Sequence, residues 1–219
     1  MDFSAHPSEQ LSKLYQQKPF QGQFPESARI IFLSSDANYS PEISKHVFFE
    51  RILEYHEDGV EFWKRYGVHH PFLLDTFPFD KTRNGRPFHA RFRKLNLDSS
   101  YAPHISFLEL LDIPTIGNKS SDKSSFYDLV SVSHLKYLDR LITGGGYKLI
   151  FVSRGVLNDM YKMRLEHNVF LWLEKQTGSN KYSIDIGDNR VREIYHFSSS
   201  HIFRQIEEIR EAIDNWLAQ

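Results

Sequence analysis

Apolar positions along the chain concentrate in four short runs, at residues 29–33, 105–111, 148–153 and 192–197, with longer stretches of mixed character between them. Runs of this length read as buried strands. The intervening stretches carry helical signals. Ser40-Pro41-Glu42 combines an N-cap with proline and an acid in the first turn, opening a helix through about Tyr55. Asp58-Gly59 interrupts it, and a second short helix runs to Tyr66, where Gly67 stops the chain. Residues 126–142 and 156–175 read as further helices. The last segment places Ile202, Ile206, Ile209, Ile213 and Trp216 at spacings of four, three, four and three, an amphipathic helix capped by Ser200 or a neighbouring serine.

Strands that alternate with helices predict a three-layer α/β/α fold around a short, mostly parallel four-stranded sheet. Residues 1–28 read as a polar lead-in, helical near residues 8–16, and residues 29–219 as a single α/β domain. Residues 67–104 contain Gly67, Pro71, Pro78, Gly85, Pro87 and Pro103 and are expected to be mostly loop outside the core.

Composition narrows the partners. At 219 residues, with 40% hydrophobic and 25% charged, the chain can bury one sizeable core. Eighteen Phe and eleven Tyr exceed ordinary core needs, so some are available as stacking surfaces. The absence of cysteine excludes disulfides and thiolate metal sites. No apolar run approaches the ~20 residues of a membrane span, and the polar N-terminus does not read as a signal peptide, so a cytoplasmic chain without a membrane partner is expected. A net charge of -1 gives no global attraction to phosphate. Locally, Lys81, Arg83, Arg86, Arg91, Arg93 and Lys94 stand against Asp80 and interleave with Phe88, His89 and Phe92. Such a segment either tracks a phosphate backbone or is a solvated surface loop.

Two local signals carry little weight. Gly144-Gly145-Gly146 precedes a strand, whereas a phosphate-cradling glycine loop follows one, so it reads as a turn. His69 and His70 are adjacent and should point in opposite directions on extended chain, and no zinc-type spacing joins them to His46 or His56. There is no G-x-S-x-G elbow. Neither a metal nor another cofactor is expected.

The strand ends carry the chemistry. In an open α/β sheet, ligands collect where strands end. The first run leads into Ser34-Ser35-Asp36-Ala37-Asn38-Tyr39 and the last into His196-Phe197-Ser198-Ser199-Ser200-His201. A carboxylate on one tip and an imidazole on the other can face each other across a crevice. Such a pair supplies a carboxylate that can stabilise developing positive charge and orient water, and a donor that can stabilise developing negative charge.

These tips resemble the uracil-DNA glycosylase superfamily, in which one strand ends in G-Q-D-P-Y-H or G-x-N-P-G and a late strand in H-P-S-x-x-S before the last helix. The segment Phe107-Leu108-Glu109-Leu110-Leu111-Asp112-Ile113-Pro114-Thr115 resembles the strand that bears the family's base-reading asparagine. The resemblance implies Asp36 as the water-handling carboxylate and His196 as support for the departing base. It implies Ser35, Asn38, Glu109 and an aromatic at Phe48 or Phe49 around the flipped base. Ser198, Ser199 and Ser200 would hold phosphate, Arg86, Arg91 and Arg93 would contact DNA, and Ile202 or Phe203 would fill the vacated stack as a wedge.

The family's glycine and proline in the first motif are serine and Ala37 here, and Phe197 replaces the proline after the histidine. Glu109 stands where asparagine would read uracil, and an ionised glutamate can only accept hydrogen bonds. The implied function is a monomeric DNA glycosylase of base-excision repair, acting on a damaged or deaminated base in single- or double-stranded DNA. A non-catalytic nucleic-acid or nucleotide binder of the same fold, or an enzyme acting on free nucleosides, fits the same residues.

Overall fold

The computed structural model describes residues 2–175 and 182–219. The chain runs through β1 (Ser4–Ala5), α1 (Glu9–Gln17), β2 (Phe20–Gly22), β3 (Ile30–Ser34), β4 (Ala37–Asn38), α2 (Phe49–Glu57), α3 (Gly59–Tyr66), α4 (Arg86–Phe92), β5 (Ile105–Glu109) and β6 (Pro114–Ile116). It continues through α5 (Lys123–Asp128), α6 (Val132–Thr143), β7 (Leu149–Ser153), α7 (Arg154–His167), β8 (Ser183–Ile186), β9 (Asn189–Ile194) and α8 (Ile206–Leu217).

The four strands expected from the apolar runs lie side by side in parallel, in the order β5, β3, β7, β9. The sheet is nonetheless six-stranded rather than four-stranded, because β2 adds antiparallel to β5 and β8 antiparallel to β9. A separate three-stranded sheet pairs β6 with β1 and β4. The added strands are two to four residues long and none is a continuous apolar run. An edge strand such as Ser-Ile-Asp-Ile buries at most one face, so it leaves a weak hydrophobic signature.

Side-chain alternation along the parallel strands builds the layers. Ile31, Leu33, Leu108, Ile150 and Val152 pack with Leu135 and Leu138 of α6 and Met160 and Met163 of α7. Ile30, Phe32, Ile105, Phe107 and Phe151 pack on the opposite side with Trp63 of α3, Phe92 of α4 and Ile209, Ile213 and Trp216 of α8. This period of two gives both faces of the sheet an apolar coat, as the α/β/α expectation required. Arg29, at the threshold of β3, donates to the carbonyls of Trp216 (2.7 Å) and Leu217 (3.2 Å) and so satisfies the C-terminal turn of α8.

Several boundaries move. The first expected helix starts only at Phe49, after a 3-10 turn at Ile43–Lys45. Asp58-Gly59 separates the two helices as anticipated: Asp58 caps α3, its side chain accepting from the Glu61 N–H at 2.9 Å, and Gly67 ends that helix at φ 66°. The stretch 126–142 divides into α5 and α6 because Ser131 caps a new helix, accepting from the His134 N–H. The stretch 156–175 becomes α7, which ends at Asn168 in the left-handed conformation. In the last segment a 3-10 turn, Ser200–Arg204 capped by Ser199, precedes α8. Among the described residues no helix is long and apolar enough to cross a membrane.

Two expectations about the periphery are corrected. The lead-in is part of the fold, since β2 pairs with β5 and Phe3, Leu11, Tyr15 and Phe20 are buried. Residues 67–104 also enter the core: Phe72, Leu73, Phe77, His89, Phe92 and Leu95 are buried. Proline and glycine there shape the backbone into short turns and α4, while the aromatics between them decide burial. Leu11, at 0% exposure, tests the first correction. Leu11→Ala should cost ~2–5 kcal/mol in denaturant unfolding, whereas truncation on a detached polar segment would stay within ~0.5 kcal/mol.

Candidate functional site

Because β3, β5, β7 and β9 run parallel, their carboxyl ends meet at one edge of the sheet, and a cavity of about 750 Å³ opens there. Asp36, just past β3, and His196, just past β9, line it together. Ser35, Asn38, Glu109 and Ser198 line it as well. The two polar tips that stood far apart in sequence therefore share one chamber.

Asp36 is held from one side. The Thr115 hydroxyl, on β6, donates to its Oδ2 at 2.6 Å, and Asn38 Nδ2 braces Thr115 Oγ1 (3.3 Å) and the Gly117 carbonyl (2.9 Å). Burial raises the Asp36 pKa, opposed by the Thr115 hydrogen bond and by the Lys119 charge. Lys119 Nζ itself donates to Ser35 Oγ at 2.6 Å and to Asp159 on α7, whose other oxygen accepts from the Tyr127 hydroxyl at 2.8 Å.

Glu109, at the end of β5, has the opposite surroundings. It is 6% exposed, its Oε2 has no hydrogen-bond partner, and its side chain forms no ion pair among the described residues. Burial, reinforced by the negative charge of Asp36, pushes its pKa up to about 8. Of the two neighbouring acids, Asp36 has a hydroxyl donor and a nearby ammonium that oppose the upward push of burial, and Glu109 has neither. Glu109 stays protonated near neutrality.

His196 Nδ1 accepts the Ser198 N–H at 3.1 Å. Burial, with smaller contributions from Lys119 and Arg91, lowers its pKa to about 4, so the ring is neutral and carries its proton on Nε2. It is a hydrogen-bond donor without a positive charge.

Other expected residues lie elsewhere. Phe48 and Phe49 are buried in a cluster with Tyr15, Ile52 and Phe77, away from the cavity lining. Phe72, Phe88 and Phe107 are the phenylalanines that do line it. Ile202 is fully buried beneath α8 and cannot act as a wedge, whereas Phe203 is 54% exposed. Ser199 caps the turn before α8 and Ser200 is exposed; only Ser198 of the three reaches the cavity wall. In the basic segment, Arg91 Nη1 donates to the Phe197 carbonyl at 3.1 Å, fixing the loop behind His196, and Arg86 is half-buried. Arg93 is exposed.

Residues absent from the sequence reading complete the chamber. Lys119 follows β6 in a turn that no motif marks. Asp159 was legible in principle, as an acid on the same face of α7 as buried Val156, Met160 and Met163. Arg154 and Glu193 form an ion pair (2.8 Å) on the wall. His69 and His70 do not diverge: His69 Nε2 lies 3.2 Å from His89 Nδ1, and His70 stacks on the His89 ring at 3.6 Å. His70 and His89 both line the cavity, and burial holds the three imidazoles neutral.

The chain matches no protein-family model, and none of the curated proteins with which it was compared matches it.

The Glu109 environment sets a stability signature. Between the unfolded pKa of 4.5 and the folded value of about 8, the native state keeps a proton that the unfolded state has lost. Stability should therefore fall as pH rises through that window, by up to about 1.4 kcal/mol per pH unit at its steepest, and level off above it. Glu109→Gln should lose this contribution, so melting profiles of the two proteins should diverge between pH 5 and pH 8 in favour of the variant. Parallel profiles would mean that Glu109 ionises freely in the folded chain.

Proposed function

We propose that this chain is a DNA glycosylase, a divergent relative of the uracil-DNA glycosylase superfamily, that hydrolyses the N-glycosidic bond of a flipped damaged or deaminated base. The observation that supports this reading most is the pairing of Asp36 and His196 on one cavity at the carboxyl edge of the parallel sheet. A volume of about 750 Å³ falls in the ordinary range of ligand chambers.

In this reading Asp36 faces the sugar. Its carboxylate stabilises the oxocarbenium-like charge and orients water, with Thr115 and Asn38 holding its geometry. His196 faces the base. A neutral imidazole N–H stabilises the leaving anion by hydrogen bonding without surrendering its proton in the ground state. Phe72 or Phe88 takes the stacking role first assigned to Phe48 and Phe49. Phe203, exposed beside the His196 loop, is the wedge, and Ser198 and Ser200 are placed to meet phosphate. DNA is the partner and the working unit is a monomer.

One observation favours a second reading. Arg91 is committed to an internal carbonyl and Arg86 is half-buried, so the segment has fewer free cations than its composition suggests. A nucleoside or nucleotide ligand needs no phosphate track and would suit such a chamber.

Asp36→Ala should slow single-turnover base release by ~100-fold or more while leaving DNA affinity within a few-fold. If the native protein releases no base and Asp36→Ala alters affinity alone, the protein is a binder. Salt dependence tests the partner. Arg93→Ala should flatten the slope of log K against log salt by about 0.9, whereas Arg91→Ala should affect base release more than the slope, because its guanidinium positions the His196 loop. Unchanged slopes in both variants would remove DNA as the partner.

A further inference from the structure

The amino ends of the parallel strands, opposite the chamber, hold a second cavity of about 340 Å³, lined by Glu26, Tyr137, Arg140, Lys148 and the Gly144-Gly145-Gly146 turn. Lys148 stands just before β7 and is only 2% exposed. Its Nζ donates to the carbonyls of Glu26 (2.8 Å) and Ala28 (2.9 Å), which leaves one of the three ammonium N–H groups over. Gly146 keeps the ammonium uncovered on its side, since a Cβ there would stand 3.4 Å from Nζ. Burial lowers the Lys148 pKa, and the Glu26 charge opposes that shift. Arg140, exposed on the last turn of α6, forms no hydrogen bond or ion pair through its side chain among the described residues.

The backbone adds donors to these two cations. Gly144 lies near the right-handed region (φ -79°, ψ 3°) and Gly145 in the left-handed one (φ 80°), a succession that turns consecutive N–H groups toward one side as an anion-binding nest. The Gly144 N–H closes on the Arg140 carbonyl at 2.7 Å, while the Gly145 and Gly146 N–H groups bond to nothing among the described residues. A helix ends in partial negative charge, and α6 ends at this turn. Asn189 offsets that pole, because its Nδ2 donates to the carbonyls of Ile142 (2.8 Å) and Gly145 (3.2 Å). One acid faces the set. The Glu26 carboxylate accepts from the Tyr137 hydroxyl and, when ionised, can only accept.

We propose that this cavity is a site for inorganic phosphate, in which Lys148, Arg140 and the Gly145 and Gly146 N–H groups hold the charged oxygens and Glu26 accepts the proton that hydrogen phosphate retains. Sulfate and a fully ionised phosphate monoester carry similar charge but no O–H. Each would set a lone pair against the Glu26 carboxylate, and such a repulsive contact is what separates one anion from another of the same shape. A bound dianion also places negative charge beside the buried Lys148 ammonium, which otherwise meets carbonyl dipoles and one exposed carboxylate. The glycine turn lacks the strand-loop-helix order of a nucleotide cradle, and its donors come from side chains and from a helix end rather than a helix start. The site lies at the other edge of the sheet from Asp36 and His196, so its occupancy is linked to the stability of the native chain by mass action and not to the chemistry of the chamber.

The test is calorimetric titration of the full chain with inorganic phosphate, sulfate and methyl phosphate at pH 8 and constant ionic strength, where phosphate keeps one proton and the monoester has lost both. Phosphate should bind at least ~10-fold more tightly than either of the others. Glu26→Gln, at an exposed position, can donate to any of the three and should bring their affinities within about 3-fold of one another. Arg140→Ala, also exposed, should weaken phosphate by ~10-fold or more, the worth of one charge-assisted hydrogen bond. Amide spectra of the native chain should show the largest phosphate-induced shifts at Gly145 and Gly146. No binding of phosphate, sulfate bound as tightly as phosphate by the native chain, native affinity in Arg140→Ala, or shifts confined to the opposite edge of the sheet would each overturn the proposal. None of these readings involves base release, so the site stands or falls independently of the glycosylase reading.

Discussion

Desolvation at the carboxyl edge of the sheet is the constraint on which the site depends. The chamber takes titratable groups out of water and compensates them unequally, which sorts them by protonation state. Asp36 receives a hydroxyl and stands near the Lys119 ammonium, which oppose the upward push of burial on its pKa. Glu109 receives neither, and His196, His70 and His89 are held neutral. The result is an acid held by a hydroxyl and near an ammonium, an Arg154–Glu193 ion pair on the wall, and a set of neutral imidazoles. That combination suits chemistry in which a cation forms at one end of a bond and an anion at the other.

The fold aligns this edge. Parallel strands bring distant sequence tips to the same end, and helices on both faces supply the apolar mass beneath them. The small second sheet adds a local clamp: β6 pairs with β4 immediately after Asp36, and Thr115 of that strand supplies the Asp36 hydrogen bond. Gly117, at φ 82°, lets the chain turn directly after β6, where a Cβ would stand 2.4 Å from the Asp2 carbonyl oxygen. That turn leads to Asn118 and Lys119. The N-terminal residues thus help to hold the segment that delivers the ammonium.

The four parallel strands, most of the helices and the two polar tips were legible from apolar runs and capping residues, because burial on both faces leaves a continuous signature. The edge strands were not, since β2, β8 and the members of the small sheet bury too little in a row. The stacking aromatic was misplaced for a related reason. Spacing from Asp36 pointed to Phe49, but α2 turns that ring into a core cluster, and Phe72 and Phe88, which face the chamber, arrive from a proline- and glycine-rich segment with no periodicity to read. The Lys119–Asp159 pair joins elements 40 positions apart, a partnership that a linear reading cannot contain. Glu109 lines the chamber, and burial without a partner disfavours the ionised form that can only accept hydrogen bonds.

The decisive property of this chamber is whether it breaks N-glycosidic bonds in DNA. The most direct measurement incubates the native chain with end-labelled oligonucleotides, single- and double-stranded, each carrying one deaminated, oxidised or alkylated base, followed by alkali treatment and denaturing electrophoresis. Alkali-dependent cleavage is expected at the lesion position in at least one substrate, absent when Asp36 is replaced. Intact strands across the whole panel, with protein folded and in excess, would contradict it.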